Sequence, residues 1–137
     1  MNGAPEKVDP RAQTGLRKVP LTIKSRTGVH HFTVQVAATE DEQERGLMFV
    51  KSLPGDRGMI FPYEPPQEVA FWMKNTLIPL DIIYIRPNHT IARIARAQAM
   101  DLTPLPSGEP IIGVLEIPGG RAAELGIKEG DKVSWTS

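Results

Sequence analysis

The side chains best suited to chemistry gather in one string, WMKNT-x-x-PLD, from Trp72 to Asp81. It places an indole, a cation, two side-chain hydrogen-bonding groups and a carboxylate within a single connection. Asn75 and Thr76 can bond the backbone of their own loop, and Pro79 stiffens the turn. Asp81 opens an apolar strand, so its carboxylate needs a partner. Arg45 and Lys74 are the candidate cations. Two readings stay open. One is a ligand pocket with Trp72 as a stacking platform and Arg45, Lys74, Asn75, Thr76 and Asp81 as polar contacts. The other is a satisfied internal network that fixes the loop and a nearby helix.

A second pattern is a pair of carboxylates, Asp81 and Glu116, each on a strand that reads as central. Glu116 shares an expected face with Ile112 and Val114, which would bury it. Paired carboxylates across a cleft serve general acid and base chemistry, so a hydrolase or lyase using Asp81 and Glu116, with Arg45 as electrostatic support, is one alternative. Other chemistries find less support. There is no cysteine, which removes the thiolate nucleophile and the Cys-ligated zinc site. His30 and His31 are adjacent in a strand and point to opposite faces, His89 follows a turn, and no metal is expected. Met48, Met59 and Met73 could offer soft thioethers to Cu(I), but they serve equally as gap-fillers between helix and sheet. The serines lack a nucleophile-elbow context. The glycines of PGGRAAELG lack dinucleotide-binding spacing. No cofactor is expected.

Alternating patterns suggest the elements that hold these groups. Leu21 to Lys24 and His31 to Ala37 read as strands around a Thr27-Gly28 turn, with Phe32, Val34 and Val36 on one face. Thr39 to Met48 reads as a short helix with a Thr39/Glu42 capping box and Gly46 near its end. Met59 to Phe61 reads as a strand stopped by Pro62, and Glu68 to Lys74 as a strand facing inward through Val69, Phe71 and Met73. Asp81 to Arg86 is apolar on both faces, as in a central strand. Thr90 to Ala97 has Ile91 and Ile94 three apart, which suits a helix, but hairpin logic favours a strand with a bulge. Ile111 to Ile117 is a strand, Arg121 to Leu125 a brief helix closed by Gly126, and Lys132 to Thr136 the closing strand. The core should draw on Phe32, Val34, Val36, Leu47, Phe61, Phe71, Ile82, Tyr84, Val114 and Ile117. The fold class is therefore α+β, mainly β: an antiparallel, barrel-like sheet of about eight short strands with two short helices.

Composition agrees. The 137 residues suit one domain, and 13 prolines with 12 glycines leave little room for long helices. Sixteen basic residues match sixteen acidic ones, which argues against a nucleic-acid binder driven by phosphate neutralisation. No segment has the roughly 20 apolar residues of a membrane-spanning helix. Residues 1–19 read as a polar, flexible leader carrying Lys7, Arg11, Arg17 and Lys18 against Glu6 and Asp9, a charge of +2 that leaves the domain at −2. Residues 20–137 form the single domain.

Three segments, ERGLMFVKSLPGDRGMIF from Glu44, FWMKNTLIPLDIIYI from Phe71 and VLEIPGGRAAELGIKEGDKV from Val114, resemble in order and spacing the domain of unknown function 192 family. The resemblance covers Val19 to Ser137. It implies a small, mainly β domain, often exported and without a settled activity, and hence a periplasmic or secreted protein. The expectation is a non-enzymatic binding or accessory module for a small molecule or envelope component, acting as a monomer. The alternatives are the Asp81/Glu116 enzyme and a purely structural interaction domain.

Overall fold

The computed structural model describes residues 7–136. In chain order the elements are β1 (Lys7–Val8), β2 (Lys18–Ser25), β3 (Gly28–Val36), α1 (Glu40–Arg45), β4 (Val50–Ser52), β5 (Arg57–Gln67), β6 (Ala70–Phe71), β7 (Leu80–Ile85), β8 (Ile91–Ala97), β9 (Leu105–Pro106), β10 (Ile111–Pro118), α2 (Arg121–Leu125) and β11 (Lys132–Trp135). Seven strands form one sheet in the order β11-β2-β3-β5-β10-β7-β8. All its pairs are antiparallel except β3 with β5. The sheet curls into a half-barrel, and a bridge from Thr90 to Lys132 ties its two ends together. The expected α+β, mainly β class is the one observed.

The strands β5, β10, β7 and β8 are packed on both faces. On the inner face Ile60, Leu115, Ile117 and Ile83 meet the hairpin residues Leu21, Ile23, Phe32 and Val34. On the outer face Met59, Phe61, Val114, Ile82 and Tyr84 are covered by Leu47, Val50, Met73 and the half-buried Phe71. Two-sided burial explains why β7 has no polar face other than Asp81. The bulge expected in β8 is present: Tyr84 pairs with Arg93 and Ile85 with Ile91, so Ala92 is the extra residue.

Several boundaries differ from expectation, each for a tertiary reason. Pro62 does not stop β5. Beyond Ile60 the strand no longer pairs with β3, and as an edge it accommodates Pro62, Pro65 and Pro66. The expected strand from Glu68 to Lys74 shortens to β6, which pairs only with the two-residue β9; Val69, Phe71 and Met73 nevertheless point inward. A register shift between Ile111 and Gly113 turns Ile112 to the inner cluster, so it does not share the face of Val114 and Glu116. The expected leader is not free of the domain from Lys7 onward. β1 pairs with β4, Ala12 is buried, and the Gln13 amide donates to the carbonyls of Glu42 and Gly46. Its first six residues lie outside those described.

Candidate functional site

A cavity of about 680 Å³ opens between the outer face of the sheet, α1 and the segment from β6 to Thr76. That is within the range of small-molecule pockets. Phe61 and Tyr63 of β5 and Glu116 of β10 form its floor. Phe71 and Trp72 stand on one side, and Glu40, Asp41, Glu44 and Arg45 of α1 on the other.

Local folding rules place these walls. Thr39 caps α1: its hydroxyl accepts from the Glu42 amide, and the Glu42 carboxylate accepts from the Thr39 amide. Those amide bonds hold the Glu42 carboxyl below its ordinary range. Gly46 ends the helix with φ 46°, and a Cβ there would lie 3.3 Å from the Phe61 ring. The helix end thus sits directly on the cavity floor. Phe61 and Phe71 meet edge to face at 4.9 Å, and Phe71 meets Tyr84 likewise at 6.4 Å. The Tyr84 hydroxyl donates to the Leu105 carbonyl, tying the small sheet to the large one. β5 passes so close to β10 that a Cβ on Gly58 would lie 2.2 Å from the Glu116 carbonyl oxygen. Only glycine fits there.

Glu116 is the chemically distinctive group. It is 4% exposed, lines the cavity and has no hydrogen-bond or ion-pair partner among the described residues. Its carboxyl oxygens are not sealed off, so they are reached from the cavity. Burial pushes the carboxyl up to about 8, so at neutral pH it holds its proton. Desolvation, with the nearby Glu116 carboxyl, raises Tyr63 to about 12 and moves Tyr84 in the same direction. At the mouth, the Lys74 ammonium stands 5.3 Å from the Trp72 ring centroid, and Arg45 pairs with Asp41 at 3.5 Å.

Asp81 has a different task. Its two carboxylate oxygens accept from the amides of Gly120 at 3.0 Å and Ala122 at 2.9 Å, which caps the N-terminus of α2. Its cation is Arg96 at 3.8 Å, not Arg45 or Lys74 as expected. In the β7–β10 register Asp81 stands opposite Ile117 and Glu116 opposite Ile82. The two carboxyl groups therefore point to opposite faces of the sheet, and the pairing needed for an Asp81/Glu116 enzyme is absent.

The profile of the family of uncharacterised proteins called domain of unknown function 192 matches residues 21–135. The chain belongs to this family. A UPF0127 protein of Thermococcus kodakarensis is 30% identical over 107 residues, 77% of this chain; the match spans 66% of that relative's length. A crystal structure of a protein of unknown function from Novosphingobium aromaticivorans is 47% identical, with TM-score 0.87, covering 98% of this chain and 95% of that one. A second, described as a candidate transcription regulator from Sinorhizobium meliloti, is 31% identical, with TM-score 0.86, covering 90% of this chain and 97% of that one.

In this member of the family, Arg45, Trp72, Lys74 and Thr76 line the cavity, whereas Asn75 and Asp81 do not. Asn75 adopts φ 56°, a conformation asparagine tolerates, and its carbonyl accepts from the Phe49 amide. It is a turn residue that joins the loop to the segment after α1. Sequence reasoning did not assign Phe61, Tyr63, Phe71 or the α1 acids to the site. It named Glu116 only as half of a carboxylate pair. The available signal was a lone acid in the otherwise apolar run Val114 to Ile117.

Proposed function

We propose that this domain is a small-molecule binding module whose ligand occupies the cavity over Glu116. The observation that carries this reading is the open, unpartnered Glu116 carboxyl at the base of an aromatic-walled cavity. A buried polar group without a partner costs about 1–3 kcal/mol. A ligand that supplies the missing hydrogen bond recovers that cost, and the ring faces supply apolar contact. Trp72, Lys74, Arg45 and Thr76 belong to the proposed site as its mouth and wall. Asn75 and Asp81 support it by holding the loop and α2.

The test is a nuclear magnetic resonance screen of a fragment panel of amines, sugars, alcohols and carboxylic acids against the full chain and Glu116→Gln. Shifts confined to cavity residues such as Phe61 and Phe71, altered in the variant, support the reading. A panel that leaves those resonances unmoved overturns it. The compartment proposed with it, periplasmic or extracellular, rests on the family resemblance alone. Fractionation of the native cell that finds the protein with cytoplasmic markers overturns that part.

A further inference from the structure

We infer that the cavity selects a protonated aliphatic amine carried on an apolar or aromatic body, with the ammonium group pairing with Glu116. This rests on the binding reading above and names its ligand class. Three features of the cavity converge on a cation. The group awaiting a partner at the floor is a carboxyl, whose ionised form only accepts hydrogen bonds. The rings around it, Phe61, Tyr63, Phe71 and Trp72, have electron-rich faces that attract ammonium groups. One ammonium of the chain, that of Lys74, already stands over the Trp72 ring at 5.3 Å. Finally, with Glu116 neutral at pH 7, the lining still holds three acids, Glu40, Asp41 and Glu44, against two cations, Arg45 and Lys74. Arg45 is paired with Asp41, which leaves Glu40 and Glu44 without an ion pair among the described residues. The mouth therefore draws cations inward and repels anions.

The proton balance gives this selection a signature. The amine arrives with its proton. Glu116, protonated at neutral pH, must release its own to solvent so that an N–H···O⁻ contact can form. One proton leaves for each amine bound below the Glu116 midpoint. The groups facing Glu116 do not confuse the effect. Tyr63 from β5 and Tyr84 from β7 are both raised and hold their protons. Arg93 from β8 lies over the Tyr84 ring at 5.8 Å. Across the cavity stand Glu40, Asp41, Glu44 and Arg45 of α1, with Lys74 at the mouth. No histidine lines the cavity among the described residues.

The experiment is calorimetric titration of the full chain with phenethylamine, phenethyl alcohol and phenylpropanoate, with cavity resonances followed in parallel. Phenethylamine should tighten about tenfold per pH unit between about pH 6 and 7 and level off above about 8, with proton release matching the slope. The alcohol should show no such rise, and the carboxylate should bind at least about tenfold more weakly than the amine. Glu116→Gln should abolish the slope and weaken the amine about tenfold or more at pH 8, leaving the alcohol within about twofold. Trp72→Ala, at a residue 48% exposed and outside the core, should weaken the amine by roughly twofold to fivefold. Equal affinity for amine and alcohol at pH 8, or a slope that persists in Glu116→Gln, overturns the amine inference. If the alcohol or the carboxylate moves the cavity resonances and the amine does not, the inference fails and the binding module stands. If none of the three does, and the wider panel is silent, both fall.

Discussion

Asp81 and Glu116 differ in what their buried oxygens find. Asp81 meets two backbone amides and the Arg96 guanidinium, so it serves the fold. Removing it leaves two amides at the start of α2 without an acceptor, those of Gly120 and the buried Ala122. Asp81→Ala should cost about 2–4 kcal/mol in chemical denaturation while cavity probes keep their affinity in the folded protein. Glu116 finds only desolvation. Its proton leaves near 4.5 in the unfolded chain and at about 8 in the folded one. Between these values the folded state holds more proton, so the stability contributed by this residue is full below 4.5 and is lost as pH rises through about 8. The slope is about 1.4 kcal/mol per pH unit at its steepest. Glu116→Gln should flatten it, so that the variant gains on the wild type steadily from about pH 5 to 8 in paired thermal melts.

The elements decide whether those residues face the cavity. α1 is only six residues long, too short to stand without its cap and its packing. Thr39→Ala should cost about 1 kcal/mol and speed hydrogen exchange of the Glu42 and Gln43 amides. This helix was legible in the sequence because both capping partners lie three residues apart; β8 was less so, because Ile91 and Ile94 three apart also suit a helix, and only its place beside the Pro87-Asn88-His89 turn favours a bulged strand. The full length of β5 was hidden, because tolerance of Pro62 depends on β3 ending beside it, a fact of topology. The partner of Asp81 was hidden for a similar reason: the amides that satisfy it lie 39 and 41 residues away. The cavity itself escaped the sequence because its floor, wall and mouth come from β5, β10, α1 and β6, which only the curled sheet assembles. Its central acid was visible, and so were its burial and the face it shares with Val114; the register shift took only Ile112 off that face.

At the scale of the whole molecule, one set of strands serves two clusters. Ile82 packs into the outer cluster and Ile83 into the inner one, from adjacent positions of β7. The clusters therefore cannot unfold independently. Ile82→Ala and Ile83→Ala should each cost about 2–5 kcal/mol, and both should keep a single denaturant transition of unchanged slope. Two separate transitions in either variant would contradict this coupling. The same architecture lets the outer face carry an unpaired acid: the inner cluster and the α2 cap secure the sheet, and Glu116 is left to the cavity. The most direct test is a carbon-detected titration of the Glu116 side-chain carboxyl in the full chain, with and without a saturating cavity probe. The expected result is a midpoint at about 8 that moves when the probe binds. A midpoint near the ordinary 4.5, unmoved by any probe that binds the protein, would contradict the assignment of Glu116 as the anchor of the site.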